Sequence, residues 1–195
     1  VKLYFMLGLP TETDEDVAAI AELVNKIVYC WRQNATNKKR RLSINLATAF
    51  FVPKPFTPFQ WEKQTSPEEY LRRVHLLQSC LTARGVDYRY HESDLSRLEA
   101  VLARGDRRLS KVLLRAHELG CKLDGWDEYF RYDLWMQAFS DCGVDPEFYT
   151  TRGFAEDEIL PWQTIDIGVS RDFFLRERAL AYQSVTTPDC RTKCA

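Results

Sequence analysis

The chain has 195 residues, 45% of them hydrophobic and 28% charged, enough for one large or two small soluble domains. Its net charge of -1 excludes general electrostatic steering toward nucleic acid or an anionic membrane, so such a partner needs a local patch. No apolar run approaches the ~20 residues of a membrane span and no export signal is present, so the expectation is a cytoplasmic protein without a membrane partner.

The first element is an apolar strand from Val1 that breaks at Gly8-Leu9-Pro10. Thr13, followed by Asp14, Glu15 and Asp16, predicts a helix start, with a Thr cap and carboxylates beside the positive end of the helix dipole. Val17, Ile20, Ala21, Val24, Ile27, Val28 and Trp31 then fall at helical spacing. A chain that opens on a strand without an initiator Met reads as the middle of a larger protein.

Leu42 to Val52 predicts a second, largely buried strand, and Pro53, Pro55 and Pro58 stiffen the aromatic loop after it. Ser66-Pro67 opens a second helix, with Leu71, Val74, Leu77 and Leu81 on one face and Gly85 as its stop. Val86, Tyr88 and Tyr90 alternate with charged residues as a third strand. Strand, helix, strand, helix, strand predicts a parallel sheet built from two βαβ units.

From Ser93 onward helices dominate. One carries Leu95, Leu98 and Leu102 up to Gly105, Asp106 caps the next, which Gly120 closes, and an aromatic one spans Tyr129 to Cys142. Asp145-Pro146-Glu147 opens a short helix, and Ser170 caps a last one to about Tyr182. Cys30, Cys80, Cys121 and Cys142 read as buried free thiols, whereas Cys190 and Cys194, four apart in a polar tail, are the one metal-like pair.

Gly8-Leu9-Pro10 with Glu12 and Thr13 behind it resembles the late barrel turn of radical S-adenosylmethionine enzymes, methylthiotransferases and cobalamin-dependent members included. The exit Phe51-Val52-Pro53-Lys54-Pro55 is similar to the end of the next barrel strand. Arg104 to Trp126, then Leu160-Pro161-Trp162, then Thr187-Pro188-Asp189-Cys190-Arg191 resemble a subgroup of that superfamily with an N-terminal cobalamin-binding domain.

The resemblance implies an α/β fold: the C-terminal part of a partial (β/α) TIM-like barrel followed by a mostly helical extension. Late barrel strands and helices would span 1–92, the helical extension 93–185, and a Cys-containing tail 186–195. The longer parent would use S-adenosylmethionine and a [4Fe–4S] cluster, with cobalamin a further candidate cofactor. The cluster motif C-x3-C-x2-C is absent here, so the chain alone would be inactive, hold no cofactor tightly and need the missing N-terminal part of the same polypeptide. The resemblance leaves the substrate open.

Candidate cofactor-binding residues follow: Gly8, Leu9, Pro10 and Glu12 on the first turn, and Phe51, Val52 and Lys54 on the second exit. Gly8 permits close backbone approach to a ligand, and Lys54 can meet a carboxylate or phosphate. The plainer readings are a βα turn that needs Gly and Pro for geometry, and a solvated Lys between prolines. Cys190 and Cys194 are the candidate metal ligands, or else two solvated thiols. His75 and His117 read as surface or boundary residues, and His91 sits at a strand end, where αβ enzymes place functional groups.

A rival reading is non-catalytic. Arg104, Arg108, Lys111 and Arg115, spaced by four, three and four, form a basic stripe with Arg107 beside it if one helix carries them. Lys38, Lys39, Arg40 and Arg41 form a second cluster. Such a stripe suits a helical binding module that contacts RNA or a protein, or is simply a solvated face.

Overall fold

The structure, a computed structural model, describes residues 1–37, 39, 41–189 and 191. Strand β1 (Lys2–Leu7), helix α1 (Asp14–Asn34), strand β2 (Ile44–Phe50), helix α2 (Pro67–Cys80) and strand β3 (Val86–Tyr90) follow in order. Their starts are set by local chemistry. The Thr13 hydroxyl accepts the Asp16 N–H at 3.3 Å while the Asp16 carboxylate accepts the Thr13 N–H at 2.9 Å, a reciprocal capping box. The Ser66 hydroxyl accepts the Glu69 N–H, with Pro67 in the first turn of α2. This helix stops at Cys80, earlier than the glycine expected to end it; Gly85, at φ +87, instead turns the chain into β3.

The sheet has the order β1-β2-β3 and is parallel throughout, with Leu3 opposite Leu46, Leu7 opposite Phe50 and Leu46 opposite Tyr88. One face is covered by α1 and α2. Leu7, Ile44, Leu46 and Phe50 meet Val17, Val24, Val28, Tyr70, Val74 and Leu77 in one buried core, where the Phe50 and Tyr70 rings stack at 4.1 Å. Each such side chain contributes ~1.5–3 kcal/mol relative to leaving it in water. The other face, with Lys2, Tyr4 and Met6, then Asn45, Ala47 and Ala49, then Asp87 and Arg89, packs under no helix of this core.

Helices α3 (Ser93–Arg104), α4 (Leu109–Leu119) and α5 (Tyr132–Asp141), a 3₁₀ turn (Pro146–Phe148) and α6 (Arg171–Tyr182) complete the chain. Leu98, Val101, Val112, Ala116, Trp135 and Phe139 form a second core. A third joins Trp61 of the proline-rich loop to Phe154, Leu160, Trp162 and Phe174. Two backbone bonds fasten that loop to the C-terminal half: Gln64 N–H to Thr150 C=O and Phe154 N–H to Trp61 C=O, both 2.8 Å.

The barrel expectation is corrected here. The sheet is open, with β1 and β3 as its two edges, and among the described residues only helices and turns follow β3. The fold is a small parallel α/β unit with helices after it, not part of a TIM-like barrel.

Candidate functional site

The turn after β1 and the exit of β2 lie side by side at the carboxyl end of adjacent parallel strands. Gly8 has φ +91, and a Cβ there would stand 3.2 Å from the Phe50 ring. Both conditions favour glycine. The Gly8 N–H donates to the two Glu12 carboxylate oxygens at 3.1 and 3.2 Å, and Glu12 in turn meets Arg73 of α2 at 2.6 Å. Leu9 and Pro10 are half-buried.

Phe51, Val52 and Pro53 are buried. The Phe51 N–H donates to the Leu7 C=O at 2.8 Å, and the Phe51 C=O accepts from Gln64 Nε2 at 3.1 Å. Lys54 pairs with Glu99 of α3. The structure therefore brings the two predicted segments together, while Gly8, Glu12 and Lys54 have their polar groups paired within the chain.

The metal and cofactor expectations are corrected. Among the described residues no group of three or more His, Cys, Asp or Glu side chains converges to hold a metal ion. Cys30, Cys80, Cys121 and Cys142 lie near the ends of four different helices. Only Cys121 is buried; Cys30 is exposed and the other two are half-buried, against the expectation of four buried thiols. With no barrel and no ligand cluster, the radical S-adenosylmethionine assignment falls. The S-adenosylmethionine, [4Fe–4S] and cobalamin expectations that rested on it fall too. Cys190 and Cys194 lie outside the described residues.

The basic stripe is also corrected. Arg104 ends α3 and Arg108 precedes α4, so the four residues do not share one helix. Arg104 is wholly buried, Arg108 pairs with Asp106 at 2.6 Å, and Arg115 pairs with Asp141 at 2.7 Å and Glu118 at 3.2 Å. Arg107 and Lys111 remain exposed, too few for a phosphate track. In the second cluster Lys38 and Arg40 lie outside the described residues. His75, His91 and His117 are all exposed, and the backbone C=O of His91 accepts from the Tyr70 hydroxyl at 2.9 Å.

Residue spacing gave no signal for a cavity of about 250 Å³ between the proline-rich loop and the segment leading into α6. Its walls include Phe56, Trp61, Leu160, Trp162 and Phe174. The Trp162 indole N–H donates to Gln60 Oε1 at 2.7 Å, and the Phe56 N–H donates to the same oxygen at 3.2 Å. One amide oxygen thus ties the Phe56 wall to Trp162, which lies 102 residues beyond Gln60.

The chain is 28% identical over 144 residues to the uncharacterized protein MJ0966 of Methanocaldococcus jannaschii. The match covers 74% of this chain and 30% of the relative, so the chain spans about a third of that protein's length. No family model matches the chain, and no solved structure matches it significantly. Among the described residues no helix is long and apolar enough to cross a membrane.

Proposed function

We propose that this chain is an interaction module of a longer polypeptide. It docks through the outer edge of β1 and the uncovered sheet face onto the segment that precedes it. The observation that carries the reading is the state of β1: Tyr4 is 74% and Met6 45% exposed on an edge strand. The C=O groups of Val1 and Leu7 accept from Asn45 and Phe51 of the β2 segment. By the alternation of a strand, Lys2, Tyr4 and Met6 then direct their N–H and C=O groups away from β2, as a template for a further strand. Ala47 and Ala49 beside them leave a shallow floor onto which apolar side chains can pack. The match covers only 30% of the relative, which supports a larger whole.

In that arrangement Gly8, Leu9, Pro10, Glu12, Phe51, Val52 and Lys54 form this chain's share of a ligand site at the strand carboxyl ends. The docked segment supplies the remaining polar contacts, because Glu12 and Lys54 are already paired. Four free thiols among the described residues suit a reducing compartment such as the cytoplasm.

Amide hydrogen exchange tests the docking. In the chain as it stands, Lys2, Tyr4 and Met6 exchange fast. In a longer polypeptide that carries sequence ahead of Val1 they slow by roughly a hundredfold or more. Fast exchange at all three in both proteins defeats the reading.

A further inference from the structure

We propose that the cavity between the proline-rich loop and the α6 approach is a binding site for a small, neutral, planar aromatic molecule. Four features converge on it. The first is size: at ~30 Å³ per water, the cavity of about 250 Å³ holds roughly eight waters, room for a bicyclic aromatic.

The second is the wall chemistry. Phe56, Trp61, Trp162 and Phe174 present rings, and most of the polar groups among them are already used, the buried indole N–H of Trp61 being left without a partner among the described residues. Gln60 Oε1 accepts from Trp162 and Phe56, and Gln163 Oε1 accepts the Leu160 N–H at 3.2 Å. Asp166 accepts the Gly168 N–H at 2.8 Å, Glu158 holds Arg152 at 2.7 Å, and Arg171 donates to the Glu156 C=O. Water inside this lining finds few partners, so an apolar ligand displaces it favourably. Asp166 and Arg171 bring one negative and one positive charge to the lining, each bonded to backbone only, so a ligand of either sign meets a like charge as well as an opposite one, whereas a neutral ligand meets neither penalty.

The third feature is the rim. Ile165, Ile167 and Val169 line the cavity and yet stand 58%, 44% and 41% exposed. A run of aliphatic side chains left in water at a cavity mouth gains burial when a ligand enters. The fourth is strain. Phe56 holds φ 58, the left-handed region that bulky residues rarely adopt. That conformation places an aromatic residue on the wall, where a relaxed loop would not need it.

The test uses the full chain and indole as the probe, followed by ¹H–¹³C methyl spectra of Ile165, Ile167 and Val169. Saturable shifts with a Kd of about 1 mM or tighter are expected. Val169→Trp, which fills the mouth from an exposed position, weakens binding by roughly tenfold, while Leu114→Trp on α4 leaves it unchanged. If Val169→Trp disturbs the fold by circular dichroism, Ile165→Trp serves in its place. Tryptamine and indole-3-acetate bind more weakly than indole. The proposal is overturned by shifts that never saturate, by equal affinity in a folded mouth-filling variant, or by tighter binding of either charged analogue. None of these outcomes bears on the β1 edge, so the two readings fail independently.

Discussion

Glu12 and Arg73 meet at 2.6 Å across 61 residues of chain, with side chains only 6% and 13% exposed. The pair ties the turn after β1 to α2, and the same carboxylate holds the Gly8 N–H. It is the clamp that fixes the strand carboxyl ends relative to the helix layer. Around it Arg73 reaches Glu69 at 2.9 Å, and Arg72 reaches both Glu69 and Asp14.

Arg73→Met strands the Glu12 carboxylate in a nearly closed environment. Removing one partner of a buried pair costs about 3 kcal/mol, and that loss is expected in urea unfolding. Glu12→Gln keeps an acceptor for the Gly8 N–H and leaves Arg73 its bond to Glu69, so it costs less, about 1–2 kcal/mol. The double variant is less destabilised than the sum of the two singles. Simple additivity would show that the pair does not act as a unit.

The same network sets a response to acid. Hydrogen bonds from Arg72 hold Glu69 down from its ordinary 4.5 to about 2, against the opposing effect of burial. Asp14 is lowered too, again first by its hydrogen bond from Arg72. A carboxylate whose folded pKa is depressed adds stability above its unfolded value and loses it as pH falls through the folded one. The wild type is therefore more stable than Glu69→Gln at neutral pH, and the gap closes between about pH 4.5 and 2. A gap that persists unchanged at the acid end of that window would assign the effect to packing. Since Glu69 is partly exposed, the gap is modest.

Much of the fold was legible because it is written locally. Thr13, Ser66 and Ser170 announce helix starts through hydrogen bonds to N–H groups three residues on, and all three are found, whereas the expected Asp106 cap is not: α4 starts after Arg108 with no side-chain cap. The alternation in Leu42 to Val52 and the order of elements dictated a parallel sheet. What was not legible depends on partners far away in sequence. The spacing of Arg104, Arg108, Lys111 and Arg115 suggested one stripe, yet α3 ends at Arg104, and that residue continues the buried face of Leu98 and Val101. Likewise the cavity lies between segments joined by contacts such as Gln60 to Trp162, which no helical or strand period encodes. The short motif likeness at Gly8-Leu9-Pro10 reflects what any such turn needs, a positive φ and close packing on Phe50, and so carried no barrel with it.

Arg104 gives the last prediction. It is fully buried, its Nη1 donates to the Glu62 C=O at 2.7 Å, and its guanidinium lies 4.3 Å from the centre of the Phe154 ring. Its Nε and Nη2 find no partner among the described residues. Burial is the main cause that pulls its pKa from 12.5 down to about 10, with nearby Arg152 acting in the same direction. A cation whose folded pKa is lowered opposes folding at all pH values below that pKa. Against this stand one hydrogen bond, about 1–1.5 kcal/mol, and a desolvated cation–π contact of about 2 kcal/mol. The terms nearly cancel, so Arg104→Met, which fills most of the same space without a charge, is expected to fall within about 1 kcal/mol of the wild type or to be more stable. Arg104→Ala leaves a hole and is expected to cost about 2–4 kcal/mol. Urea unfolding of both variants at pH 7 separates the contributions. A loss above about 3 kcal/mol for the Met variant would show that Nε and Nη2 hold a buried water or anion, a contribution absent from this balance.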